Sequence, residues 1–273
     1  GAFGAGIILF LVPAFSSCQY RQMDEISGLT CMSLFAGLMV TPVYADTVLG
    51  MTADVDFWNM ESSGSFADSS DLQSFDLDSE RNAILTLAFE HPLPLVPNLK
   101  IRTNDLSSSG DQRLADDFSF SDTDFPAGLD VNVDFEAQNT DFIFYYEIFD
   151  NDTISFDLGL NVKYLDGDIE VESNGLRASE TFDGYVPMFH GAVQVGVPAT
   201  RLSFFGDLNL LSVGDHTLQD YTAGVAFKLV ESLAVDISLR GGYHRISLEL
   251  DDLDGIYTDW DFDGAFLGVR ADF

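Results

Sequence analysis

The sequence is poor in cations, carries no thiol beyond position 31, and has no long apolar run in its main body. Only 12 Lys and Arg stand against 45 Asp and Glu, for a formal net charge of −33. Simple attraction to nucleic acid or to anionic lipid is therefore excluded, and divalent cations are the natural counter-ions. Both cysteines, Cys18 and Cys31, precede residue 46, so a chain matured there has no thiol to mispair in an oxidising compartment. The competing reading is a cytosolic protein with two unremarkable thiols. Past residue 46 no stretch is apolar for the roughly 18 residues that a membrane helix needs. A membrane-embedded main body would have to cross as a closed sheet.

What the chain does have is Phe, Gly and Asp in strictly alternating runs. The clearest interleaves Ile154, Phe156, Leu158, Leu160, Val162 and Tyr164 with Ser155, Asp157, Gly159, Asn161 and Lys163. The last ten residues, Gly264 to Phe273, alternate in the same way. Comparable runs predict strands at about 47–60, 80–90, from 99, 141–149, 154–164, 181–197, from 202, 217–229, from 233, and at 264–273. The three prolines of His91–Pro97 end one strand pair in a turn. The breaks after strands two, four, six and eight are short, whereas most of the others are long and acidic. Alternation within 105–138 (Phe118, Phe120; Val131, Val133, Phe135) predicts a hairpin that continues outward rather than plain coil. About ten strands with this loop asymmetry give an all-β, closed, antiparallel up-and-down transmembrane β-barrel over residues 46–273. A soluble β-sandwich is the structural rival, because alternation does not say which face is inside.

If the apolar rows face lipid, the opposite rows place Asp54, Asp56, Glu90, Lys100, Arg102, Glu147, Asp157, Lys163, Asp207, Lys228, Asp236, Arg240, Arg270 and Asp272 in the lumen, with His190 as a hydrogen-bonding residue there. A ten-strand barrel is narrow, so these charges pair across a plugged or tightly constricted interior. A selective small-solute channel is the alternative. Trp58, Tyr146, Tyr164, Tyr185, Tyr243 and Phe273 suit the interfacial girdles. In the ninth strand the apolar residues sit at odd positions up to Leu239 and at even positions from Ile246, which predicts a one-residue bulge at Gly241–Gly242.

Residues 1–45 read as a leader. Positions 33–45 form the apolar core and cleavage region of a secretory signal, with Val43 and Ala45 before a cut that leaves Asp46 first. Residues 1 to about 31 then belong to an over-extended or incomplete reading frame, with translation starting near Met23 or Met32. Lipoprotein processing at Cys18, after Phe15-Ser-Ser, is the alternative.

Three resemblances follow from these residues. The end of the chain, with Leu267, Val269, Ala271 and Phe273 on one face, resembles the C-terminal recognition strand by which bacterial outer-membrane proteins reach their assembly machinery. Together with Asp46–Gly50 and Leu239–Tyr243, it resembles a family of uncharacterised proteobacterial outer-membrane barrels named for a Gly-Gly pair in the penultimate strand. That resemblance implies a bacterial outer-membrane location and no activity. Asp215–His216 invites comparison with the omptin outer-membrane proteases, and Asp116–Asp117 with their acidic pair. In that family, however, the Asp and His share a face, and here they are adjacent. No zinc spacing, EF-hand, phosphate loop or nucleophile motif is present, so no cofactor or catalytic residue is assigned. The expected partners are outer-membrane lipid and lipopolysaccharide, the barrel assembly machinery, and loosely held Ca²⁺ or Mg²⁺ at acidic loops.

Overall fold

The structure, a computed structural model, describes residues 49–67, 73–93, 95–121, 123–151, 153–214, 216–253 and 256–273. The leader, its cleavage site and both cysteines lie outside the described residues. Among those described there are thirteen strands and no helix. They are β1 (Gly50–Ala67), β2 (Gln73–Asp76), β3 (Glu80–Glu90), β4 (Asn98–Arg113), β5 (Phe118–Phe120), β6 (Thr123–Phe125), β7 (Asp130–Asp150), β8 (Ile154–Ser173), β9 (Leu176–Gly196), β10 (Leu202–Val213), β11 (His216–Val230), β12 (Asp236–Leu253) and β13 (Ile256–Asp272).

Ten of them, all except β2, β5 and β6, pair antiparallel with their neighbours in order, and β13 pairs with β1 to close the cylinder. The closing ladder runs from Thr52↔Asp272 to Ala67↔Tyr257. The Phe273 amide extends it by donating to the Met51 carbonyl at 2.8 Å. Closure matters because it leaves no free edge. The fold is thus the closed antiparallel ten-strand barrel that the alternation predicts.

Strand length is where the prediction falls short. β7 and β9 each have 21 residues and β8 has 20, about twice the 9–11 needed to cross hydrocarbon. The break after the fifth strand, expected as a long acidic loop, is a two-residue Asn174–Gly175 turn with both residues at positive φ. That pair is well suited to a tight hairpin. The acidic residues that look like loop lie on strand extensions.

The extension explains the apparent phase slip. Pairing of β12 with β11 and β13 runs unbroken through Gly241↔Val225 and Gly242↔Gly224, and through Gly241↔Leu267 and Gly242↔Phe266. There is no bulge at Gly241–Gly242. Leu239 and Tyr243 both point outward, while His244 and Ile246 are buried inside. The backbone keeps its parity, and the surroundings change sign. The bulged pairings of the described ladders lie elsewhere, at 147/149, 228/230 and 250/253. Glycine at 242 serves close approach instead: a Cβ there would stand 2.1 Å from the Ala223 carbonyl oxygen, and one on the facing Gly224 would meet the Phe205 ring at 2.8 Å.

Candidate functional site

The interior is stacked in three tiers, which strand parity builds from the short-turn end upward. Around the lowest tier the exterior is apolar: Phe57, Leu87, Leu158, Leu160, Phe189, Phe204 and Leu267 are exposed. On β8 this outward row runs from Ile154 to Tyr164, one crossing length. Tyr164 packs against Tyr185 at its upper limit, with the rings tilted and their centroids 4.8 Å apart. Tyr146, Tyr185, Tyr243 and Phe273 are exposed as a girdle would require, but Trp58 is not. Its indole is fully buried in the lumen, edge-on to His244 at 4.6 Å. Residue 58 is even on a strand whose even positions point inward, which overrides the preference of Trp for an interface.

The lowest tier is a cavity of about 280 Å³ that reaches the mouth at Asp150, Gln194 and Asp272. On one wall Arg270 grips Asp54 through Nε at 2.7 Å and Nη2 at 2.8 Å, and Arg240 donates to the same carboxylate. Arg240 Nε also faces Asp56 Oδ1 at 3.3 Å. The guanidinium lies 4.4 Å over the Phe205 ring, so the Phe205 that fills the space left by Gly224 also backs this base. On the other wall Lys100 reaches Asp207 at 3.0 Å, and Tyr145 donates to Glu90 at 2.9 Å. Glu147 and Asp157 are directly opposed on β7 and β8.

Above the cavity lies the second tier, an ion lattice. Lys163 donates to Asp141 (2.9 Å), Asp220 (2.8 Å) and the Asn139 amide oxygen (2.8 Å). Arg102 bridges the same two carboxylates, at 2.8 and 2.6 Å. Asn161 donates to Asp141 at 2.7 Å. Lys163, Asp141 and Asp220 are 0% exposed, so solvent does not reach this level. Burying two cations against two carboxylates is tolerable because the charges pair directly and Asn139 and Asn161 add further bonds, although Asp220 Oδ1 and Asn161 Oδ1 accept none. His190 and His244 flank the lattice, bonded to Asn209 and Thr222 at 2.9 and 2.7 Å.

The third tier is aromatic. Phe135 stacks on Trp260 at 4.4 Å, Trp260 on Phe66 at 5.9 Å, and Phe66 on Phe75 at 4.8 Å. The β5–β6 hairpin folds down onto this column and buries Phe118, Phe120 and Phe125. At this level the outward positions are polar and acidic: Asp134 opposes Glu170, and Glu136 opposes Asp168.

Of the residues assigned to the lumen, Asp54, Asp56, Arg240 and Arg270 form one cluster, while Lys100, Arg102, Lys163 and Asp207 join a second. Glu90, Glu147 and Asp157 line the cavity, and Asp272 accepts from Thr52 at 2.9 Å near the mouth. Lys228 and Asp236 are not in the lumen network: they pair with each other at 2.8 Å near the short turns, partly exposed. Asp141 and Asp220, the acids at the centre of the lattice, were missing from the sequence assignment. The available signal is that they share parity with Glu147 and Lys228, two residues that the alternation assigns to the lumen. Asp215 lies outside the described residues, and Asp117 accepts from the Ala127 amide at 2.8 Å, within its own loop. Among the described residues no three His, Cys, Asp or Glu are grouped to hold a metal.

No family model matches the chain, the Gly-Gly family included, and no curated protein does. Among solved structures it is similar to Ail, the attachment invasion locus protein of Yersinia pestis (12% identity, 82% of this chain and 99% of that one, TM-score 0.34). It is also similar to the outer membrane protease OmpT from Escherichia coli (9%, 82% and 97%, TM-score 0.43) and to the translocator domain of autotransporter NalP from Neisseria meningitidis (9%, 83% and 89%, TM-score 0.42). At these scores the likenesses carry nothing about what this chain does. The class rests on its own ladders: a closed ten-strand barrel with a filled interior.

Proposed function

We propose that this chain is a bacterial outer-membrane barrel, delivered by a cleaved leader, whose role is structural or surface-interacting rather than conducting. An exposed apolar belt one crossing length tall supports membrane placement, since such a surface is costly in water. The short turns then lie in the periplasm, and the strand extensions with their acidic walls face outward among lipopolysaccharide and its divalent cations. β13, with Leu267 and Val269 exposed on its outer face, is the strand that the assembly machinery would read.

One observation carries the non-conducting reading: the Lys163–Asp141–Asp220–Arg102 lattice is sealed from solvent across the lumen, with an aromatic column above it. A hydrated ion would have to break several charge-assisted bonds in series. Refolded protein in planar bilayers is expected to give no single-channel steps. Reproducible unitary currents, abolished by heat denaturation before addition, would establish the channel reading instead.

A further inference from the structure

We propose that the lowest tier is a binding site for a small organic cation, a primary di- or polyamine or a guanidinium compound, entering from the mouth at the short turns. The cavity is lined by eight carboxylates, Asp54, Asp56, Glu90, Glu147, Asp150, Asp157, Asp207 and Asp272, against four bases, Lys100, Arg102, Arg240 and Arg270. The bases are committed. Arg240 and Arg270 hold Asp54, Lys100 holds Asp207, and Arg102 belongs to the lattice above. Among the described residues that leaves Glu90, Glu147 and Asp157 with no basic partner within ion-pair distance, and Glu147 directly opposes Asp157 across the ladder. Like charges so placed repel, and folding tolerates this cost.

The hydrogen-bond inventory points independently to the same chemistry. Asp56 is 3% exposed, yet its Oδ1 accepts no hydrogen bond, because Arg240 Nε at 3.3 Å is misaligned. That oxygen lies over the facing Gly268, where an added Cβ would stand 1.9 Å from it. Asp157 Oδ1 and Asp207 Oδ1 are also buried without a hydrogen bond. Among the described residues Arg240 Nε is the one unpaired donor on this wall and already faces Asp56, so it is Asp157 and Asp207 that call for a further donor, and the excess of carboxylates makes that donor a cation. A volume of about 280 Å³ lies at the small end of ligand pockets, which run from roughly 300 Å³ upward. Access from the periplasm rests on the placement proposed above, whereas binding itself does not.

The test uses refolded protein in detergent, its folded state verified by heat-modifiable gel mobility, with 1,4-diaminobutane as probe. The diamine should raise the melting temperature saturably and beyond sodium chloride of equal ionic strength, with magnesium chloride and succinate much weaker. The Glu147→Gln/Asp157→Asn variant, relieved of its repulsion, should melt higher than the parent without ligand. It should also bind the diamine more weakly by roughly tenfold or more in calorimetry, as expected for lost charge-assisted hydrogen bonds. No saturable effect of the diamine, an equal effect on parent and variant, or stabilisation by magnesium or succinate instead would each overturn the proposal. Conductance plays no part in this readout, so a barrel that proved to be a channel would leave the result standing.

Discussion

The lower and upper halves of the barrel are opposites built on one backbone. On β8 the even positions face outward throughout. Below Tyr164 they are Phe156, Leu158 and Leu160, and above it Asp166, Asp168, Glu170 and Glu172. The odd positions invert in step: Asp157, Asn161 and Lys163 below, Ile169 and Val171 above. On β7 the inward residues change from Glu147, Tyr145 and Asp141 to Phe135, Val133 and Val131. The lower half is apolar outside and ionic inside, and the upper half is the reverse. Pleating fixes only that neighbours face opposite ways, and the surrounding medium decides which face must be greasy. Where the outside is lipid the interior can hold charge. Where it is water, stability has to come from an aromatic core.

Four changes probe that contrast. The largest effect is expected in the lattice, where Lys163→Leu leaves Asp141 and Asp220 with Arg102 alone and costs about 3–5 kcal/mol, read as a lowered midpoint in urea unfolding. Phe135→Ala removes the ring between Trp260 and Phe262 and costs about 3 kcal/mol. Hydrogen exchange should locate that loss in the upper ends of β7–β9, with the lower ladders still protected. A pair of arginines then compares the same face of one strand. Leu160→Arg places a cation in the apolar belt and costs about 2–4 kcal/mol in bilayers. Asp168→Arg, on the same face, meets Glu136 across the ladder in place of a repulsion and gains about 0.2–1 kcal/mol. Equal penalties for the two arginines would mean that the halves share one exterior.

The lower half was legible in the sequence because alternation there is long and chemically pure. The alternation starts the strand at Ile154, where β8 begins, and parity alone puts Asp54, Lys100, Arg102, Lys163, Arg240 and Arg270 inward. The upper half was not, since the same parity carries the opposite chemistry there. Val131, Val133 and Phe135 read as a strand without showing that the greasy face had turned inward. Gly241–Gly242 sits near the crossover, so a change of medium looked like a change of register. Which carboxylate meets which base depends on strand stagger and side-chain reach, neither of which the alternation encodes. That is why Asp141 and Asp220 emerge only with the closed cylinder, and why Lys228 and Asp236, with correct parity, stay near the mouth.

Thiol labelling along β8 tests the inversion most directly. A chain produced from Asp46 onward has no native cysteine, so single cysteines can be placed at 158, 160 and 166 and exposed in lipid vesicles to a membrane-impermeant maleimide. Asp166→Cys should label rapidly, while Leu158→Cys and Leu160→Cys stay unmodified until the bilayer is dissolved and the chain unfolded. Labelling of Leu160→Cys in intact vesicles as fast as Asp166→Cys would contradict the account, because the lower exterior would then be facing water.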